Sequence, residues 1–133
     1  MKTMGTKVMI VDDNEFIRES VDILFKFEGI QAVAADGGEE CLRHLENGFR
    51  GIILMDVMMP GMDGWDTIRE IVKRGVYDGN IIVMLTAKGE PDCKMEGIQE
   101  YVTDYVTKPF DPMKLIERVN SLALFRKGMK LAQ

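Results

Sequence analysis

Short apolar runs that end on a polar side chain alternate with amphipathic segments along this chain, and no other feature narrows its possible folds as much. Lys7-Val8-Met9-Ile10-Val11 runs into Asp12-Asp13, Ile52-Ile53-Leu54-Met55 ends on Asp56, and Asn80-Ile81-Ile82-Val83-Met84-Leu85 runs into Thr86. A shorter run, Tyr105-Val106-Thr107, ends on Lys108-Pro109. Unbroken apolar runs of this length read as strands buried on both faces. Strands are expected at 7–11, 30–35, 51–55, 80–85 and 103–107.

The segments between them carry the helical period. From Glu15 to Glu28, Ile17, Val21, Leu24 and Phe27 recur at helical spacing and Gly29 follows as a stop. Residues 38–47, ending at Asn47-Gly48, predict a second helix. Residues 64–74, ending at Gly75, predict a third, with Trp65, Ile68, Ile71 and Val72 facing inward. A weaker helix is expected after Pro91. The last starts at Asp111-Pro112, a cap followed by proline at the first helical position, and runs through Ile116, Val119, Leu122 and Phe125. Five strands alternating with five helices imply an α/β fold of βαβ units around a parallel sheet, because parallel neighbours need a crossover and a helix supplies it.

With 133 residues and no repeat or linker, one domain is expected, spanning 7–125. Residues 1–6 and 126–133 are read as short flanks without an output domain; the second is basic at Arg126, Lys127 and Lys130, and fraying is favoured there over a continuation of the last helix. A net charge of -5 and the lack of a Lys/Arg stripe exclude sequence-independent nucleic-acid binding as the main activity. Cys41 and Cys93 lack the spacing of a metal or redox motif and read as reduced packing residues. No apolar run is long enough to cross a bilayer and no leader pattern opens the chain, so a cytoplasmic location is expected and no membrane partner. Gly37-Gly38 lacks the spacing of a nucleotide-binding loop.

In an open parallel sheet the ligand site lies beyond the carboxyl ends of the strands, where Asp12, Asp13, Asp56, Thr86 and Lys108 all fall. Acids after Val11 also suit the start of a helix, so the pair alone says little. Joined by Asp56, they form a set whose mutual repulsion a cation would relieve. An all-oxygen donor set suits Mg²⁺, with Mn²⁺ plausible, far better than zinc. His44 lies inside the second predicted helix and is not a competing ligand. A carboxylate beside such an ion is suited to act as a nucleophile toward phosphorus. Asp56 takes that role here, with the Lys108 ammonium and the Thr86 hydroxyl placed to stabilise phosphoryl oxygens.

Four motifs in order then resemble the receiver domain of two-component response regulators: Val11-Asp12-Asp13, Leu54-Met55-Asp56 with Met59-Pro60-Gly61-Met62-Asp63-Gly64, Leu85-Thr86-Ala87, and Asp104-Tyr105-Val106-Thr107-Lys108-Pro109-Phe110. The resemblance implies a flavodoxin-like, doubly wound (βα)5 fold with strand order 2-1-3-4-5. It implies that Asp56 is the phosphoacceptor, that Asp12 and Asp13 hold Mg²⁺, and that the main-chain carbonyl of Met58 completes the coordination. Thr86 and Tyr105 resemble the family's switch pair, and Lys108-Pro109 a bond the family holds cis. A histidine kinase or phosphotransfer protein is the implied donor. Phosphorylation would change the face made by the fourth helix, fifth strand and fifth helix, to control a protein partner or a phosphorylation-dependent homodimer. The chain would not be an enzyme in the usual sense, although it would catalyse its own phosphorylation and dephosphorylation.

Some positions set this chain apart. By the resemblance, Tyr101 stands where many members of that family carry Gly after the fourth helix, and Met58 and Lys88 match positions that tune phosphoryl lifetime in the family. An apolar Met58 offers no group to orient an attacking water, which predicts a long-lived phosphoryl state. The 11 methionines divide into core fillers such as Met9, Met55 and Met84, and Met58, Met59 and Met62 in the loop beside the site. Competing readings are a phosphatase with an aspartyl intermediate, disfavoured because Met58 replaces a second acid, and a flavin carrier, disfavoured by the acidic crevice. A phosphate-independent receiver-like binding module and a receiver piece of a larger regulator or hybrid kinase complete the set.

Overall fold

A computed structural model describes residues 6–87 and 97–131 of the chain. Five strands, β1 (Lys7–Val11), β2 (Gln31–Ala35), β3 (Gly51–Asp56), β4 (Ile81–Ala87) and β5 (Asp104–Lys108), form one sheet in the order β2-β1-β3-β4-β5, all parallel. The expected α/β architecture and strand order are both present. Every residue of β3 is buried, as are all of β1 except Lys7, which explains why these strands read as continuous apolar runs rather than alternating ones.

Side chains on the two faces of these strands fill two separate cores. Met9, Val11, Ile53, Met55, Ile82 and Met84 point to one side, against Leu42 and Leu45 of α2 (Gly38–Glu46) and Trp65, Ile68 and Ile71 of α3 (Gly64–Lys73). Val8, Ile10, Ile52, Leu54, Val83 and Leu85 point to the other, against Val21 and Phe25 of α1 (Glu15–Phe27) and Leu115, Ile116 and Val119 of α4 (Pro112–Leu131). Each such aliphatic or aromatic side chain, fully withdrawn from water, contributes about 1.5–3 kcal/mol. The period-two strand pattern thus assigns each helix pair its own layer.

The helix ends follow local chemistry. The Asn14 side chain accepts from the Ile17 amide at 3.1 Å and caps α1. Asp63 and Asp66 form a reciprocal capping box at the start of α3, with bonds of 2.8 and 3.2 Å. Asp111 accepts from the Met113 amide at 2.9 Å, with Pro112 opening α4.

In the last third of the chain one expectation lies outside the described residues and another is corrected. The helix expected after Pro91 falls largely outside the described residues; what is described there is a 3-10 turn, Gln99–Tyr101, with Tyr101 packed edge-on against Tyr77 at 5.0 Å. The last helix does not stop at Phe125 but continues to Leu131. Arg126, read as part of a solvated tail, is buried and donates from Nε to the Gly79 carbonyl at 2.9 Å. Among the described residues, no helix is long and apolar enough to cross a membrane.

Candidate functional site

The strand ends converge at the carboxyl edge of the sheet, where β1 and β3 lie side by side although their following helices cover opposite faces. That reversal opens a crevice. One carboxylate oxygen each from Asp12, Asp13 and Asp56 lies within 4.8 Å of the others. Asp12 is fully buried and Asp56 nearly so, at 4% exposure, while Asp13 is exposed.

Asp12 is held at both oxygens. Its Oδ1 accepts from the Asn14 amide at 2.9 Å and its Oδ2 from Lys108 Nζ at 2.8 Å. Its carbonyl accepts from Arg18 Nη1 at 2.9 Å, a tie that joins the end of β1 to α1. Lys108 Nζ also donates to Asp56 Oδ1 at 3.0 Å. Among the described residues no donor reaches the second Asp56 oxygen. The Asp56 carboxylate is therefore oriented through one oxygen and free at the other, an arrangement suited to a nucleophile.

The electrostatics follow from this crowding. Burial, reinforced by the charge of Asp12, pushes the Asp56 carboxyl from 3.8 up to about 6 despite the opposing bond from Lys108. Burial pulls Lys108 down, but its bonds to Asp12 and Asp56 outweigh that and its pKa is raised. One bridging ammonium against three carboxylates leaves the crevice anionic. The all-oxygen donors fit a hard divalent cation such as Mg²⁺ or Mn²⁺ in number, type and convergence.

The other predicted residues take their places around this centre. Thr86 lies within β4, which runs to Ala87, two residues past the expected end at 85, and is opposite Thr107 in the β4–β5 register. Lys108 ends β5, and its bond to Pro109 is cis. Tyr105 is 41% exposed and its ring lies 6.5 Å from that of the buried Trp65, tilted by 46°. Met58 projects outward at 65% exposure, while Met59 is buried. Lys88 lies outside the described residues.

The sequence reading assigned no role at the site to three residues: Arg18, Asn14 and Gly64. The first two hold the Asp12 main and side chains. Gly64 was visible only as part of a motif. Its amide donates to the Val57 carbonyl at 2.9 Å, closing the loop that follows Asp56. Beside Lys108, an open apolar cleft of about 450 Å³ runs between α1 and the start of α4, lined by Phe16, Ile17, Leu24, Pro109, Phe110 and Pro112 among others.

The family model of the response regulator receiver domain matches residues 8–120. A CheY-like response regulator receiver domain protein from Methanospirillum hungatei JF-1 superposes with a TM-score of 0.89 at 49% identity, covering 92% of this chain and 98% of that one. The phosphate regulon transcriptional regulatory protein PhoB of Escherichia coli is 31% identical over 119 residues, which are 90% of this chain and 52% of PhoB. The transcriptional regulatory protein ResD of Bacillus subtilis is 35% identical over 122 residues, 91% of this chain and 49% of ResD. The chain thus spans about half the length of these curated relatives.

Proposed function

The chain belongs to the response regulator receiver family of two-component signalling, and on that footing we propose that it is a phosphorylation-controlled switch whose phosphoacceptor is Asp56. The observation that carries this reading is the Lys108 bridge between Asp12 and Asp56, which fixes one acceptor oxygen and leaves the other available. That second oxygen attacks the phosphorus of the donor. The bond from phosphorus to the donor's nitrogen or oxygen breaks, its electron pair leaves with the donor, and an acyl phosphate remains on Asp56.

Lys108 and the Thr86 hydroxyl take phosphoryl oxygens, the first as a charge and the second as a hydrogen-bond donor. Asp12, Asp13, Asp56 and the Met58 carbonyl are assigned to hold Mg²⁺, which when bound supplies the positive charge that phosphoryl transfer onto an anionic crevice requires. Thr86 then draws toward the phosphoryl group and Tyr105, half-exposed beside Trp65, turns inward, altering the surface of β5 and α4 that a downstream protein or a second copy reads. With Met58 turned to solvent and apolar, no group at that position orients a hydrolytic water, which favours a long phosphoryl lifetime. The physiological donor is a histidine kinase or phosphotransfer protein, and the apolar cleft beside Lys108 suits an inserted helix of that partner. Residues 7–125 form the receiver unit, extended by the end of α4.

Intact mass after incubation with acetyl phosphate tests the reading. A single phosphoryl adduct that forms with Mg²⁺, and fails to form with EDTA or in Asp56→Asn, is the expected result. An adduct that persists in Asp56→Asn, or none in the folded wild type, would overturn it.

A further inference from the structure

The loop that follows Asp56 returns to its own start, and the residue at the point of return is a glycine. Gly64 is buried at the first position of α3 and its amide is bonded to the Val57 carbonyl at 2.9 Å. A Cβ at this position would stand 2.6 Å from the Asp56 carbonyl oxygen, 3.0 Å from the Val57 Cα and 2.9 Å from the Met84 Cε. Two of these three neighbours belong to the main chain on either side of the peptide bond that leaves Asp56. At Gly61, in the same loop, an added Cβ would meet nothing within 4 Å.

The first turn of a helix accepts alanine readily, so helix formation does not explain a glycine here. The close approach to the acceptor's own backbone does. We infer that Gly64 is a positioning residue for phosphoryl transfer: the bare α-carbon lets α3 seat directly on the Asp56–Val57 peptide and hold the acceptor carboxylate in register with Lys108 and the two neighbouring acids. Met84 Cε can move aside because it ends a flexible side chain, but the Asp56 carbonyl can retreat only by shifting the acceptor. A displacement of about 1 Å at a reacting centre can cost on the order of a hundredfold in rate. The inference rests on Asp56 being the acceptor.

The test compares wild type, Gly64→Ala, Gly64→Ala with Met84→Leu, and Ile68→Val, the last a conservative change at a buried core position of the same helix. Acetyl phosphate kinetics with Mg²⁺ would give the rate at saturation and the half-saturating donor concentration, and calorimetry the Mg²⁺ affinity. For Gly64→Ala we expect a saturated rate lower by about tenfold or more, donor half-saturation unchanged within about twofold, and Mg²⁺ affinity weaker by about threefold or more. Met84→Leu, which withdraws the terminal methyl, should not restore the rate, and Ile68→Val should leave both quantities near wild type.

An unchanged rate in Gly64→Ala would overturn the inference, as would full rescue by Met84→Leu. Failure of Gly64→Ala to fold under conditions where Ile68→Val folds would also overturn it, since the contact would then hold the fold rather than aim the acceptor. Absence of any adduct in wild type would instead remove the assignment of Asp56 on which the inference stands.

Discussion

Lys108 Nζ lies 3.0 Å from Asp56 Oδ1, so the last strand of the sheet delivers its charge directly to the end of the central one. The same ammonium holds Asp12 at 2.8 Å. Replacing Lys108 with Ala removes the charge that opposes the elevation of the Asp56 pKa. The Asp56 carboxyl in the metal-free protein should then titrate above 6, a shift that carbonyl ¹³C NMR would resolve. Phosphorylation by acetyl phosphate should slow by about tenfold or more. An unshifted titration would show that Lys108 does not govern the acceptor.

The elevated Asp56 pKa makes this carboxylate a liability to the fold at neutral pH. A carboxyl whose folded pKa exceeds its unfolded value contributes stability that is complete below about 4 and is lost as pH rises through about 6. In EDTA at pH 7.5, Asp56→Asn should therefore be more stable than wild type, by at most ~3 kcal/mol for a shift of roughly two units. Urea unfolding at several pH values checks this. The two proteins should converge below pH 4, and a difference that persists there would have another origin.

Phe16 offers a way to separate chemistry from partner recognition. Its side chain is 78% exposed at the mouth of the apolar cleft and is not one of the acidic cluster's residues. Phe16→Asp should leave acetyl phosphate labelling within about twofold of wild type and reduce transfer from a phosphorylated histidine-containing partner by about tenfold, in line with loss of an aromatic anchor. Equal loss with both donors would place the defect in the site itself.

At the opposite end of the sheet, the buried Arg126 guanidinium donates to the Gly79 carbonyl. Arg126→Ala should lower stability by about 1.5–3 kcal/mol, the range for a hydrogen bond to a charged group, with labelling of Asp56 unchanged. Thermal unfolding of the two proteins is the measurement, and an unchanged midpoint would show that the end of α4 adds no stability.

The parts of this structure that were legible in the sequence are those that depend on one element at a time. Apolar runs ending on Asp12 and Asp56 announced both the parallel sheet and the groups at its carboxyl edge, because burial on two faces leaves an unbroken pattern, whereas edge strand β5 before Lys108 has no buried residue and gave only a short run. What stayed hidden depends on partners distant in sequence. Asp12 and Asp13 are identical in type, yet one is buried and tied by Lys108 and the other is exposed. Arg126 read as a solvated cation because nothing local reveals the Gly79 carbonyl, 47 residues away, that receives it. Gly64 sat in plain view within a motif, but its reason, the approach of α3 to the Asp56 main chain, exists only in three dimensions.

The Lys108 bridge also carries a consequence for how the molecule comes into being. Its two partners are separated from it by 96 and 52 residues, and all three acids emerge during synthesis before the ammonium does. Until β5 docks, the nascent crevice holds three carboxylates without that bridging cation, and docking the final strand exchanges mutual repulsion for attraction. Completion of the sheet is thus also what joins Asp12 and Asp56 to their shared cation.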